Sequence, residues 1–279
     1  MKVVITVDVE LWSWRRDFEL DIEKPVFELV KLADREKIPI ILFISLSDKG
    51  YGDKNYRENV TKLLRKIKSK YISYGIHTHC KNLPLNFETK SDNLKDYSLE
   101  KEIEILKWYK KNVERITEKK IVAHRAGNWA IPSLKILDEA FKKAGIKIDS
   151  SDLSQEYSKI IKTNSLVEIP PATNRRLSRH PIVWSPDQMT VDEMINFYNE
   201  ARSKTDVLVM NFHSFSISGN LGSKVRVWNK IPAPFKKVLR LFLIKKGRKS
   251  ISDESFRKLK RIVSFIRGKA EFYSLEKLT

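Results

Sequence analysis

The sequence has a single cysteine, Cys80, in 279 residues. An intrachain disulfide is therefore excluded, which agrees with a reducing compartment. Only nine residues are glycine and low-complexity tracts are lacking, so a disordered chain is not expected. No apolar run approaches the length of a transmembrane helix, and the first predicted strand begins at Lys2, which leaves no room for a signal peptide. We therefore expect a cytoplasmic protein that is soluble or peripheral to the inner face of the membrane.

Acidic residues are outnumbered, with 35 Asp and Glu against 54 Lys and Arg, and the net charge is +19. Such a charge favours polyanionic partners, namely nucleic acid, anionic lipid head groups or an acidic glycan. It is equally consistent with a lysine-rich composition that serves no specific partner. Since the sequence contains no recognised nucleic-acid-binding module, we do not expect nucleic acid to be the partner.

Hydrophobic patterning predicts strands that alternate with helices along the whole chain. The predicted strands are 3–10, 38–44, 71–79, 121–123, 146–148, 166–169, 207–212 and 270–273, and the predicted helices are 23–37, 56–70, 98–118, 132–144, 190–203 and 252–266. This alternation is typical of a parallel sheet with right-handed crossovers. About seven such units favour a single α/β barrel domain over residues 1–279, with its chemistry at the carboxyl ends of the strands.

Pairs of reactive side chains follow two of the predicted strands. Asp8 and Glu10 end the first strand, and His77 and His79 end the third, each pair with the spacing i, i+2. On a pleated strand this spacing puts both members of a pair on one side. Two histidines and a carboxylate form a typical ligand set for a catalytic divalent metal. The alternative is that the carboxylates cap a turn or are solvated, and that the histidines are ordinary polar residues at a strand exit.

Two further strand ends carry charged or titratable residues. Arg125 follows a short apolar strand, where a fixed cation could orient a carboxylate and keep it ionised, or form a purely structural ion pair. Trp129, just beyond it, could form a wall for a sugar ring. His213 ends a long buried strand and is a natural general acid, since the pKa of histidine lies near neutrality. His124 is on the opposite face from Arg125 and is predicted to be structural.

The order and placement of these residues resemble the motifs of the polysaccharide deacetylases, the NodB-homology group of carbohydrate esterases. The matching segments are TVDVE at 6–10, GIHTH at 75–79, RAGNW at 125–129, IPP at 169–171 and FHS at 212–214. The resemblance spans nearly the whole chain and suggests a divergent member. It implies a distorted (β/α)7-type barrel and metal-dependent hydrolysis of an N-acetyl group on a sugar.

The resemblance also implies roles for individual residues. Asp8 would be the general base, tethered by Arg125, and His213 would be the general acid. Glu10 and His77 would bind the metal, which the resemblance suggests is zinc. The residues predicted to bind substrate are Trp12, Lys81, Asn128, Trp129 and Pro170.

The sequence departs from the family pattern at the second metal-binding histidine. That residue usually comes four positions after the first, where this chain has Lys81. His79 is the nearest substitute and is predicted as a metal ligand, although the Lys81 ammonium group could instead replace the metal charge. Two interpretations stay open: a carbohydrate N-deacetylase with a divalent metal, and a metal-free, deacetylase-like protein that binds glycan without catalysis.

The cellular context narrows the predicted substrate. A cytoplasmic enzyme would meet a nucleotide-sugar, a lipid-linked glycan or a small N-acetylated sugar rather than a wall polymer. The stretch 224–249 carries ten Lys or Arg and no acidic residue, and we predict a basic helical insertion at about 224–250. This helix either contacts an anionic membrane or packs on the barrel. Liposome flotation without preference for anionic vesicles would contradict membrane contact.

Overall fold

A computed structural model describes residues 1–11, 17–47, 55–154, 156–174, 181–218 and 253–278. The strands are β1 (Lys2–Val9), β2 (Ile40–Ile44), β3 (Ile72–Thr78), β4 (Ala123–Ala126), β5 (Ile148–Asp149), β6 (Ile161–Lys162), β7 (Val167–Glu168), β8 (Thr173–Asn174), β9 (Ile182–Val183), β10 (Val207–His213) and β11 (Glu271–Phe272). The helices are α1 (Lys24–Glu36), α2 (Tyr56–Lys66), α3 (Leu99–Thr117), α4 (Leu134–Ala144), α5 (Val191–Ala201), α6 (Ser214–Ile217) and α7 (Glu254–Ile266).

A curled parallel sheet organises the chain. Its strands follow the order β10-β1-β2-β3-β4-β5-β7, with β6 antiparallel at one edge and β11 paired to β1. Among the described strands, no β-ladder joins β7 to β10. That gap is bridged where the backbone N–H of Ala172 donates to the carbonyl of Val209 at 2.9 Å. The predicted α/β class and distorted (β/α)7-type barrel are thus confirmed.

Alternation along the strands separates two apolar layers. In β1, Val3, Ile5, Val7 and Val9 belong to the large core between sheet and helices. Val4 belongs to the smaller cluster inside the barrel, and because side chains alternate with a period of two, Thr6, Asp8 and Glu10 follow it on the inner face. The inner face is therefore apolar at the bottom of the barrel and polar at the carboxyl ends of the strands.

Local sequence signals set the helix ends. Helix α5 begins with a capping box, in which the Thr190 hydroxyl accepts the N–H of Glu193 and the Glu193 carboxylate accepts the N–H of Thr190. Helix α4 ends at Gly145, whose φ of 68° is left-handed and therefore suits glycine.

The structure differs from the sequence prediction mainly in its shortest elements. No element is predicted between the first strand and the helix at 23–37, but Glu19–Glu23 forms a π-helical turn. Strands β6, β8 and β9 and helix α6, each two to four residues long, were not predicted.

Some predictions concern residues outside the part of the chain that the structure describes. These are the substrate contact of Trp12 and the basic insertion at about 224–250 with its membrane contact. Among the described residues, no helix combines the length and the apolar composition needed to cross a bilayer.

Candidate active site

Neighbouring strands bring the predicted residues together at the carboxyl end of the barrel. The Cα atom of Asp8 lies opposite that of His213 across the β1–β10 ladder. The Cα atom of His77 lies opposite that of Arg125 across the β3–β4 ladder. Because parallel strands start and end at the same edges of a sheet, residues separated by more than a hundred positions in the sequence share one small volume.

Asp8 and Arg125 form a buried ion pair at the centre of this site. The Arg125 Nη1 atom donates to Asp8 Oδ1 at 2.9 Å, and the side chains are 0% and 1% exposed respectively. The Asn211 amide donates to the other oxygen, Oδ2, at 3.1 Å. Burial alone would raise the pKa of the Asp8 carboxyl, but the positive electrostatic surroundings, with the Arg125 guanidinium foremost, outweigh it and hold that pKa below its ordinary value. Asp8 is therefore an ionised acceptor at neutral pH.

Neutral acceptors hold the Arg125 guanidinium in this orientation. Its Nε donates to the Ser150 carbonyl at 2.8 Å, and its Nη2 donates to the Ser150 hydroxyl at 2.7 Å. Nη1 also donates to the Thr6 hydroxyl at 3.0 Å and to the Asn211 side-chain oxygen. The guanidinium carbon lies 4.2 Å from the centre of the Phe43 ring. Because Nε, Nη1 and Nη2 all donate hydrogen bonds, the Arg125 guanidinium can move little and fixes the position of Asp8.

A carboxylate and two imidazoles converge beside this pair. Glu10 Oε2 lies 2.8 Å from His79 Nε2 and 3.6 Å from His77 Nε2, and the two Nε2 atoms are 3.2 Å apart. One donor atom from each residue lies within 4.8 Å of the others. Among the described residues this is the only group of three or more such side chains that could hold a metal ion.

The outer nitrogen of each imidazole has its own acceptor. His77 Nδ1 lies 3.2 Å from the backbone carbonyl of Arg125, and His79 Nδ1 lies 2.9 Å from Asp92 Oδ2. A hydrogen on each Nδ1 satisfies these acceptors and leaves the Nε2 lone pairs directed at the shared centre, which is how metal-binding histidines are normally oriented. The donor set and its orientation therefore fit a divalent cation.

Gly127 makes room for one of these imidazoles. A Cβ atom at this position would lie 2.5 Å from both Nδ1 and Cε1 of His79, closer than any normal contact. The glycine in the RAGNW segment is thus required by the close approach of the ring.

We expect the added methyl group of Gly127→Ala to push the His79 ring out of its position. A misoriented histidine ligand typically costs metal affinity about tenfold or more, and we expect a loss of that size here. Competition titration with a chromophoric chelator measures the affinity. Gly268→Ala is the control: its Cβ would meet no atom within 4 Å and it lies outside the site, so the backbone strain expected at its φ of 78° should cost stability but not metal affinity. Equal metal affinity for both variants would contradict this prediction.

His213 approaches the site from β10 and is its most exposed titratable member. Its side chain is 28% exposed, and its Nε2 lies 3.4 Å from Glu10 Oε1. The ring stacks on Phe215 with 4.7 Å between ring centres. The buried Asp187 interacts electrostatically with His213, and burial raises the pKa of Asp187 while the charge of His213 lowers it. Sequence reasoning missed Asp187, which follows β9 in an irregular segment.

His124 lies outside the site, on the helix-facing side of β4. Its Nδ1 is 2.6 Å from Asp149 Oδ1, and its ring packs against Phe141 of α4. Burial lowers the pKa of His124 to about 3, so the ring is neutral. Burial also raises the pKa of Asp149, to about 6, and that of its hydrogen-bonded neighbour Glu168. The predicted structural character of His124 agrees with this geometry.

The other residues predicted to bind substrate have different surroundings. Asn128 is exposed, and Trp129 is half-buried with its ring centre 5.4 Å from the Arg125 guanidinium carbon. Pro170 is buried just after β7. Lys81 is exposed and lines a cleft of about 490 Å³ formed by residues 81–84 and 87–90. That cleft is lined by none of the candidate metal ligands Glu10, His77 and His79. Contact with substrate remains a prediction for all four.

Three residues that surround the Asp8–Arg125 pair were also missed. Thr6, Asn211 and Ser150 contact Arg125, and Asn211 also contacts Asp8. A simple signal could have found the first two, because they lie two residues before Asp8 and His213 on strands with a side-chain period of two.

Comparison with known proteins establishes the fold. No protein-family model matches the sequence, and a search of curated proteins gives no match. Solved structures do match: a Mycobacterium smegmatis protein described as a polysaccharide deacetylase is 14% identical over 98% of this chain and 93% of its own, with a TM-score of 0.51. The peptidoglycan N-acetylglucosamine deacetylase Bc1960 is 12% identical over 99% and 86%, with a TM-score of 0.51.

A solved structure of the same fold is named for a different activity. PuuE allantoinase is 9% identical over 99% of this chain and 88% of its own, with a TM-score of 0.56. The chain therefore has the barrel fold of the polysaccharide deacetylases, and the predicted resemblance is confirmed at the level of the fold. Because one fold supports several activities, the activity has to be argued from the site.

Proposed function

We propose that this protein is a divergent polysaccharide deacetylase, a metal-dependent hydrolase that removes the acetyl group from an N-acetylated sugar or glycan. The observation that carries the proposal is an ionised aspartate, clamped by a buried arginine, beside a carboxylate and two histidines oriented for a cation. The deacetylases among the structures of the same fold add support.

Glu10, His77 and His79 would hold the ion, and their one-oxygen, two-nitrogen donor set suits zinc. A divalent ion in this position lowers the pKa of bound water and polarises a carbonyl oxygen. The ligands are nine-tenths or more buried, so their orientation is set before substrate arrives.

Asp8 is proposed to accept the proton of the attacking water. A carboxylate has about four lone-pair directions, and the bonds from Arg125 and Asn211 leave acceptor capacity on both oxygens. Arg125 prevents Asp8 from being protonated in advance and from rotating away. His213, at the more open side, is proposed to give a proton to the leaving sugar amine.

The substrate class rests on the names of proteins with the same fold and on the position of Trp129 beside Arg125. One of them is a deacetylase of N-acetylglucosamine in peptidoglycan. We propose a sugar or lipid-linked glycan that carries an N-acetyl group, with Trp129 beside the reacting centre. Cytoplasmic location and peripheral contact with an anionic membrane remain predictions.

A second candidate function is glycan binding without metal or catalysis. The observation in its favour is the position of His79, whose ring nitrogens lie 2.8 Å from Glu10 and 2.9 Å from Asp92. An imidazolium between two carboxylates would satisfy both and replace the charge of a metal ion.

Metal analysis and acetate release separate the two functions. We expect protein purified without chelator to contain a divalent metal and to release acetate from N-acetylglucosamine oligomers or UDP-N-acetylglucosamine. Dipicolinate should abolish the activity, and added zinc should restore it. Absence of bound metal together with retained glycan binding would support the second candidate. Metal-loaded protein that releases no acetate from any of these sugars would overturn the proposed activity.

A further inference from the structure

His79 contacts both the other candidate metal ligands and a distant loop. The residue lies just beyond β3, and its imidazole is held between Glu10 Oε2 at 2.8 Å and Asp92 Oδ2 at 2.9 Å. Asp92 is 13 residues further along the chain, in the long connection between β3 and α3. The orientation of this ligand therefore depends on where the connection puts Asp92.

Backbone hydrogen bonds fix the connection against β3. The carbonyl of Asp92 accepts the N–H of Cys80 at 3.1 Å, and the Asn82 N–H donates to the carbonyl of Thr89 at 3.1 Å. Both bonds join the start of the loop to its later part. The carbonyl of His79 itself accepts the Tyr109 hydroxyl of α3 at 2.7 Å. Asp92 is thus attached to the same backbone that carries the ligand.

Asn128 ties Asp92 to the exit of β4. Its amide nitrogen donates to Asp92 Oδ2 at 3.2 Å and to Asn93 Oδ1 at 3.1 Å. Its backbone is left-handed with φ of 56°, and the next residue, Trp129, has φ of 57°. Such conformations are uncommon outside glycine, although asparagine tolerates them better than most residues. A strained turn here presents the amide to Asp92.

We infer that Asp92 and Asn128 are positioning residues for His79, and that they let this histidine act as a metal ligand although it is two residues from His77 instead of four. The carboxylate keeps the hydrogen on Nδ1 and so directs the Nε2 lone pair at the metal. The Asn128 amide holds the carboxylate in place. This inference rests on the proposed metal site, but it concerns metal binding and not the substrate.

The test measures zinc affinity by chelator competition, and the visible spectrum of the cobalt-substituted protein. We expect Asp92→Ala to lower zinc affinity about 10–100-fold and to change the cobalt spectrum. Removing the hydrogen-bond acceptor of a metal-binding histidine typically has an effect of this size. Asn128→Gly removes the amide but tolerates the left-handed backbone, so we expect a smaller loss. With Asp92→Ala already present, Asn128→Gly should add nothing, because both act through one contact.

Glu88→Ala is the matched control. Glu88 is an exposed carboxylate of the same connection that pairs with Lys90 at 3.0 Å, and its removal should leave zinc affinity and the cobalt spectrum unchanged. Melting curves show whether each variant is folded. Wild-type affinity in a folded Asp92→Ala protein would overturn the inference and leave the proposed activity standing. Reduced affinity in that variant, with no acetate released by the wild type, would support the inference and overturn the activity. A wild type that binds no divalent metal would overturn both.

Discussion

Asp8→Asn is expected to lower acetyl hydrolysis roughly 10²–10⁴-fold, the range that a positioned general base contributes. The amide has almost the same shape but cannot take a proton from water. Steady-state acetate release from the best N-acetylated sugar measures the effect. Metal content should stay at the wild-type level, because Glu10, His77 and His79 are intact. Full activity in this variant would end the assignment of Asp8 as the base.

The same substitution should also cost stability. It leaves the 0% exposed Arg125 guanidinium without its counter-charge, and breaking a buried pair in this way typically costs about 3–5 kcal/mol. In the wild type the Asn211 amide donates to Asp8 Oδ2, and in the variant it faces a second amide group instead of a carboxylate. The protein should nevertheless fold, because Arg125 keeps its bonds to Ser150, Thr6 and Asn211. Denaturant unfolding measures the loss.

Two further variants separate the chemical role from the structural one. Asp8→Asn combined with Arg125→Gln removes both charges, so stability should partly recover while activity stays lost. Asp149→Asn changes another buried strand-end aspartate, but one on the helix-facing side of the sheet beside His124. We expect this control to lose stability and to keep activity. If the Asp149→Asn protein is folded but inactive, loss of activity follows from the loss of any buried carboxylate and is no evidence for a chemical role of Asp8.

His79→Ala is expected to abolish deacetylation. It should also reduce metal affinity by more than the roughly 10–100-fold expected when only the hydrogen-bond acceptor of this histidine is removed. The reason is that His79 supplies one of three donor atoms within 4.8 Å of one another. Competition titration and acetate release report the two losses.

Lys81→His tests whether the usual position of the second histidine could serve instead. Lys81 is exposed, and its carbonyl accepts the Ser47 hydroxyl at 2.7 Å, which fixes the backbone there. We therefore expect His79→Ala combined with Lys81→His to remain without metal, and Lys81→His alone to bind metal as the wild type does. Recovery of metal binding in the double variant would show that the site can be built from position 81.

Much of the site could be predicted from the sequence because it follows regular strands. A period of two puts Asp8 with Glu10 and His77 with His79, and the strand ends of a parallel barrel meet at one edge. Strand registers that match Asp8 with His213 and His77 with Arg125 agree with that expectation. The resemblance to polysaccharide deacetylases rested on the same short segments.

The residues that were missed come from long-range contacts. Asp92 belongs to an irregular connection and Asp187 to the segment after β9, and neither has a periodic pattern that relates it to a histidine on a strand. Substrate binding by Asn128 stays a prediction, but the bonds of its amide to Asp92 and Asn93 had no signal in the sequence. Loop conformation depends on tertiary hydrogen bonds that the local sequence does not specify.

By itself, the sequence determined the barrel class and the strand-end positions of the reactive residues, because both depend on local periodicity and on the order of the elements. Only the tertiary structure decided that Arg125 is bonded to Asp8 and that His79, not Lys81, joins Glu10 and His77. The physical reason is that charge pairing and ligand orientation depend on ångström-scale distances between strands and loops. Those distances are set when the sheet curls and the loop at 80–98 packs against it.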